Sequence, residues 1–359
     1  MSQLLYFEMK KVLGMKKFLI VLAATVIFSV VSFQSINCIS EFSNAQNNLK
    51  LYKGNVAENP IILEAIEKHS QLYAKYGSAE NITDDRLRQE FLHLEYPCYL
   101  YNCDSHRKEI LSDYGIKAKD LILGDTIFYG FIEQFIAPYF PWIISFLLAY
   151  LICPIFSSEY EVKMDSLLLS SSKGKKEVII SKFIVSFLIV MMFYIAIIGA
   201  YALLCLGRYG VGDMEASFVF TGDYVFNYIS SPFEFTVGQY IRIMLVISFA
   251  GCIGLASFGC FLSSLFKNSI LSTLIMLIIA VGPAFASQML VDEDITKKLL
   301  LLTYTYIIGV RGEFGNMTTM SVAGTEIQFV YSALILLSAT TIFFAFLAFK
   351  CFKKHQAFN

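Results

Sequence analysis

The sequence predicts an all-α integral membrane protein. It would have six transmembrane helices, cytosolic N- and C-termini, and a small helical extracellular domain between helices 1 and 2. Composition is the first observation behind this prediction. Of 359 residues, 56% are hydrophobic and only 16% are charged, and the mean hydropathy is +0.60. About a quarter of the residues in a soluble domain are charged, so this excess of apolar surface requires a non-aqueous solvent.

The second observation is the distribution of apolar residues. Six runs of at least 21 residues contain no Asp, Glu, Lys, Arg or His: 18–38, 134–158, 183–207, 243–266, 268–291 and 327–349. A helix of about 20 apolar residues crosses the hydrocarbon core of a bilayer, and helices satisfy their own backbone there. A cleaved signal peptide is the alternative for the first run. Its length and the lack of a small-residue cleavage site argue against that alternative.

The third observation is the position of the basic residues in the connections. One side holds thirteen: Lys10, Lys11, Lys16, Lys17, Lys163, Lys173, Lys175, Lys176, Lys182, Lys267, Lys350, Lys353 and Lys354. The short loops on the other side hold five: Arg208, Arg242, Lys297, Lys298 and Arg311. The more basic side of a membrane protein faces the cytosol, and long loops are left out of the count. Both termini are therefore predicted inside.

The predicted segments follow from these spans. In order they are a cytosolic interfacial amphipathic helix (1–17), span one (18–38), the extracellular domain (39–133), span two (134–158), a cytosolic coupling loop (159–182), span three (183–207), an outer loop (208–242), spans four (243–266) and five (268–291), an outer loop (292–326), span six (327–349) and a cytosolic tail (350–359).

The N-terminal segment shows helical spacing of its apolar residues. Leu5, Met9, Val12 and Leu13 recur at three to four positions, and Glu8, Lys10 and Lys11 are expected on the opposite face. This pattern predicts an amphipathic helix on the inner membrane surface. An ordinary flanking segment with positive-inside lysines is the alternative.

The extracellular domain is predicted to hold three helices. Asn59-Pro60 and Thr83-Asp84-Asp85 are typical helix starts, and Asp104-Ser105 would start a third helix that ends at Gly115. Cys98 and Cys103 lie in this domain, where a disulfide is chemically permitted. The pair is a candidate bridge, and two free thiols are the alternative.

Two further features leave alternatives open. The apolar run 299–310 has only 12 residues and is too short to span, so it predicts either a buried or interfacial helix or a re-entrant segment. Span four carries small residues that allow a close helix contact, either within one subunit or between two. They are Ala250, Gly251, Gly254, Ser257 and Ser264.

Catalytic and metal-binding motifs are absent from the sequence. It contains no GxxxxGK[ST], HExxH or GxSxG motif, and His69, His93 and His106 fit no standard metal spacing. No metal site is therefore predicted. Because the six runs lack ionisable residues, an ion-coupled secondary transporter and an intramembrane hydrolase are also disfavoured. A transporter built this way would take its energy from a partner.

The loop 159–182 is the most informative segment. Its candidate coupling residues form an acidic start, an apolar triplet and a basic end: Glu159, Glu161, Asp165, Leu167, Leu168, Leu169, Lys173, Lys175 and Lys182. This order resembles the inner loop of ABC-2 type ABC transporter permeases, with Ser171-Ser172 at the turn. Lys163-Met164 replaces the usual Gly-Thr, and the turn has no proline. An ordinary inner loop of an unrelated six-span protein is the alternative.

The resemblance implies a half-transporter rather than an enzyme. Two permeases would pair as a homo- or heterodimer, and each would dock a separate cytosolic ATPase that carries ATP and Mg²⁺. The chain itself would need no cofactor and no nucleic acid. Family members with a large outer domain after span one resemble peptide and antimicrobial exporters or a sodium-export branch. Because no carboxylate lies in the apolar runs, an amphiphilic peptide, drug or lipid is favoured.

The expected location is the plasma membrane, with a bacterial origin. The alternative function comes from another class: a membrane receptor or scaffold whose outer domain senses a ligand without transport. A soluble ATPase as partner would favour the exporter.

Overall fold

The computed structural model describes residues 2–37, 51–161, 174–221, 228–289, 302–310, 314, 319–322 and 325–355. Five of its helical stretches are long and apolar enough to cross a membrane: Lys16–Ile36, Ile127–Glu161, Lys176–Tyr209, Val237–Leu265 and Val330–Lys353. A shorter apolar helical stretch covers Ser269–Pro283. Each of the six predicted runs overlaps one of these stretches, and the all-α membrane class is confirmed.

The described helices are α1 (Ser2–Val12), α2 (Met15–Asn37), α3 (Pro60–Tyr76), α4 (Asp85–Asp113), α5 (Ile127–Gln134), α6 (Phe140–Ile152), α7 (Pro154–Glu161), α8 (Gly174–Tyr209), α9 (Val237–Leu265), α10 (Ser269–Met289), α11 (Tyr304–Gly309) and α12 (Phe329–His355). Two short antiparallel strand pairs accompany them. They join β1 (Gly54–Asn55) to β2 (Ile122–Leu123), and β3 (Thr319–Val322) to β4 (Thr325–Gln328).

Two helices dominate the segment between the first two spans. α3 begins where the sequence predicts, because the Asn59 side chain accepts hydrogen bonds from the N–H groups of Ile61 and Ile62. α4 begins at Asp85, and Asp84 caps it.

The predicted third helix start, Asp104-Ser105, is wrong. α4 runs without interruption through this position and through Pro97. Asp104 does not cap a helix, because its buried carboxylate accepts from the backbone N–H of Leu121 at 2.9 Å. The tertiary bond therefore overrides the local signal for a helix start.

The second span is a composite of three helices. α5 leads into α6 through a π-helical turn at Phe135–Tyr139 that contains Pro138. Proline has no N–H and disturbs the regular helical ladder, which is a common cause of such turns. Only Cys153 separates the end of α6 from Pro154, which opens α7.

α9 packs closely on its neighbours through two glycines. A Cβ at Gly251 would lie 2.8 Å from Cγ1 of Ile308, and one at Gly254 would lie 2.9 Å from Cδ1 of Leu337. Gly251 and Gly254 of span four thus serve contacts within this subunit. α11 is the helix at the 12-residue apolar run, and Ile307 and Ile308 on it are buried.

α2 and α12 lie at the periphery of the bundle. Only 28% and 17% of their most apolar windows are buried, against 67% for α9. The apolar side chains of α2 and α12 are therefore available to lipid or to a second subunit.

Candidate coupling site

Lys182, near the start of the third span, is a fully buried lysine. Its Nζ donates to Glu159 Oε1 at 2.6 Å and to the Ile155 carbonyl at 2.7 Å, and lies 3.2 Å from Glu8 Oε2. The same Nζ is 5.3 Å from the centroid of the Phe156 ring. Three acceptors match the three N–H groups of an ammonium, which is what its burial requires.

The carboxylates around Lys182 are also buried. Glu8 is 2% exposed and Glu159 1%. Lys11 adds a second cation, with its Nζ 3.0 Å from Glu159 Oε1. We call Glu8, Lys11, Glu159 and Lys182 the ionic junction. It joins α1, α7 and α8, and its two acids and two lysines balance in charge.

Glu8 was predicted on the exposed face of the N-terminal helix, and that prediction is wrong. The apolar spacing of α1 is real, since Val12 is buried and Leu5 and Met9 pack on the core. Glu8 turns inward nevertheless, because Lys182 would otherwise be buried with one acceptor fewer.

The start of α7 holds Glu159 in place. Phe156 and Ser157 lie in its first turn, where backbone N–H groups have no partner inside the helix. Ser263 of α9 supplies one, since its Oγ accepts from Phe156 N at 2.9 Å and Ser157 N at 3.1 Å. α9 thereby fixes the helix that carries one carboxylate of the ionic junction.

Glu161 makes a different contact two residues later. Its Oε1 accepts from both the backbone N–H and the hydroxyl of Ser269, each at 2.8 Å. Ser269 is the first residue of α10, so a carboxylate meets the positive end of a helix there. The end of the second span is thus tied to the start of the fifth.

Comparison with known proteins decides the class of the chain. A family model described as "ABC-2 family transporter protein" matches residues 4–356. The chain belongs to the ABC-2 transporter family. No curated protein and no solved structure matches it. As a member of this family, the chain is a multi-pass membrane permease of an ABC transporter, a transport subunit that is not itself catalytic.

The nine predicted coupling residues of the permease fall into four groups. Glu159 and Lys182 are bonded to each other, and Glu161 caps α10. Lys175 lies in the first turn of α8. The other five lie outside the described residues: Asp165, Leu167, Leu168, Leu169 and Lys173.

Arg107, on α4 of the permease, anchors the segment that leads into α9. It is 2% exposed. Its guanidinium donates to the carbonyls of Ser231 at 3.2 Å and Phe233 at 3.1 Å. Burial lowers the pKa of Arg107, and nearby Glu234 and Asp104 oppose that change. We call Arg107 with these carbonyls the domain clamp.

A second contact joins the domain to the chain between α8 and α9. Lys53 Nζ lies 2.7 Å from Asp213 Oδ1, and the Asp125 N–H donates to Asp213 Oδ2 at 2.9 Å. These bonds lower the pKa of Asp213. Gly212 is required beside them, because a Cβ there would collide with the Asp125 carbonyl oxygen.

Glu133 is a buried carboxylate that sequence reasoning missed. It lies one residue before the second apolar run and accepts hydrogen bonds from Tyr228 and Tyr240, the latter at 3.2 Å. The helical stretch Ile127–Glu161 includes it. Because both tyrosine partners lie far along the chain, no local sequence pattern around Glu133 reveals that its carboxylate is buried and hydrogen-bonded.

The candidate disulfide is not formed in this structure. Cys98 and Cys103 are free thiols on the continuous helix α4. Five helical positions turn two side chains to different faces, because each position adds about 100°. Burial raises the pKa of Cys103 to about 11, so its thiol is not the reactive thiolate form at neutral pH.

Proposed function

We propose that this ABC-2 permease is the membrane subunit of an ATP-driven exporter of an amphiphilic substrate, such as a peptide, antimicrobial, drug or lipid. A separate cytosolic ATPase would dock on the loop 159–182, and two permeases would form the transporter. The proposal places the ionic junction, both termini and this loop in the cytosol, and the domain of α3 and α4 outside the cell.

The ionic junction is the observation that carries the proposal. Glu159 and Lys182 stand at the two ends of the loop and contact each other at 2.6 Å. A displacement of the loop therefore acts on the end of the second span and the start of the third together. Glu8 extends the same contact to α1. A partner that moves the loop would move three helices as one unit.

The substrate class follows from the spans. The six apolar runs contain no Asp, Glu, Lys, Arg or His, whereas ion-coupled transport normally uses intramembrane charges. The buried charges of the ionic junction and Glu133 lie next to the ends of these runs rather than within them. A path lined by hydroxyl, amide and aromatic side chains suits an amphiphile better than a small ion.

Replacement of Leu168 and Leu169 by Asp tests the docking site. The apolar triplet of the loop would be exposed to water unless a partner covers it. The double variant should insert normally and lose ATPase association and substrate-stimulated ATP hydrolysis. Co-purification with the cognate ATPase and hydrolysis in reconstituted vesicles measure the two effects.

Leu51→Asp with Leu92→Asp is the matched control. These two leucines are exposed, at 67% and 48%, in the domain between the first two spans. The control should keep ATPase association. Normal association of the loop variant would contradict the docking site, and a wild-type chain that associates with no ATPase would favour the receptor alternative.

A further inference from the structure

A groove opens between α9 and α12 at the end of the bundle where α9 begins. Its volume is about 400 Å³, within the range of ligand-binding pockets. One wall is a face of α9 that includes Val246 and Ala250, and the other includes Val330 and Leu334 of α12. Val246 is 68% exposed, so the groove is open to the surroundings of the helix pair.

The divergence of the two helices creates this groove. They meet at Gly254, where a Cβ would lie 2.9 Å from both Leu337 Cδ1 and Thr341 Oγ1. One turn earlier on each helix, Ala250 and Leu334 already line open space. Phe235 and Phe314 also line the groove. The groove is therefore an open apolar slot on the side of this helix pair.

Arg242 is the charged side chain among the described lining residues. It immediately precedes the uncharged run 243–266, which places its guanidinium at the level of the lipid headgroups. Its Nε donates to the Gly238 carbonyl at 2.8 Å, which orients the guanidinium. Within the described ranges, Arg242 makes no ion pair, so its terminal N–H groups remain for an anion.

We propose that this groove binds one phospholipid with an anionic headgroup. Arg242 would hold the phosphate through charge-assisted hydrogen bonds. From Arg242 to Ala250 the helix rises about 12 Å, at 1.5 Å per residue, so the groove accommodates the upper part of one acyl chain. The proposal does not rest on the proposed export function.

Native mass spectrometry of the purified full chain tests the site. Phosphatidylglycerol and phosphatidylcholine with identical acyl chains would be titrated separately. We expect the first phosphatidylglycerol to bind about tenfold tighter, because both lipids carry the phosphate but phosphatidylcholine adds a choline cation that the Arg242 guanidinium repels. Arg242→Gln should abolish that preference, and Arg242→Lys should retain part of it.

Arg208→Gln is the matched control. Arg208 is exposed at the end of α8, the same end of the bundle, and it does not line the groove. This variant should keep the tenfold preference. Val246→Trp, which fills the groove and leaves Arg242 intact, should weaken binding of both lipids.

Two kinds of result would overturn the site, one from the arginine variants and one from the wild-type chain. One is a wild-type preference in Arg242→Gln, or an equal loss in Arg242→Gln and Arg208→Gln. The other is equal binding of both lipids by the wild-type chain. Neither result bears on ATPase docking, because the measurement contains no ATPase.

Discussion

The ionic junction and the domain clamp hold the two ends of the permease in different ways. In the ionic junction, Lys182 meets the side-chain carboxylates of Glu8 and Glu159. In the domain clamp, Arg107 meets backbone carbonyls of the segment before α9. A charge–charge contact depends on both partners and on their exact spacing, whereas a guanidinium on carbonyls fixes the path of the backbone. We infer that the ionic junction suits a contact between helices that move, and that the domain clamp suits a static attachment.

Lys182→Met should produce the largest loss of stability. It leaves Glu8 and Glu159 buried without their shared cation, and breaking a buried ion pair in this way costs about 3–5 kcal/mol. The free energy of unfolding in detergent should fall by that amount. Lys176→Met is the control, since Lys176 is exposed on the same helix and should cause little change. Equal stability of both variants would show that the ionic junction does not hold the bundle.

Arg107→Met should have a smaller and more local effect. Its loss leaves the carbonyls of Ser231 and Phe233 without their donor, at a cost of about 1–3 kcal/mol. Hydrogen exchange should rise in the segment 228–236 and stay unchanged around Lys182. Arg88→Met on the exposed face of α4 is the control. A rise at both ends of the bundle would mean that the two regions are not separable.

Low pH should weaken the contacts that Asp213 makes with Lys53 and Asp125. Lys53 first, and the Asp125 N–H second, hold the pKa of Asp213 below its usual value. A lowered folded-state pKa stabilises the fold above the unfolded value of about 3.9, and this contribution is lost as the pH falls through the folded value. Proteolysis of the domain should therefore increase below about pH 4. Asp213→Asn should flatten this dependence, and an unchanged profile would contradict the role of Asp213.

The two regions also differ in how far the sequence predicts them. The spans follow from apolar runs, and Glu159 and Lys182 follow from the order of charges in the loop. Glu8 was assigned to the wrong face, because a helical pattern does not show a partner 174 positions away. Arg107 was missed for the same reason, since its acceptors are carbonyls beyond the third span. Local patterns predict elements, whereas buried polar contacts depend on the tertiary fold.

The central claim is that the ionic junction transmits the movement of the loop to the bundle. It is tested most directly by the amount of substrate moved per ATP hydrolysed, in vesicles that contain the permease and its ATPase. Glu8→Gln removes one charge of the ionic junction and leaves the contact between Glu159 and Lys182. For Glu8→Gln we expect normal ATPase association and a ratio of substrate moved to ATP hydrolysed that is clearly below the wild-type ratio. Glu177→Gln is the control, because Glu177 is exposed on α8, and it should keep the wild-type ratio. An unchanged ratio in Glu8→Gln, or a loss of ATPase association, would contradict the claim.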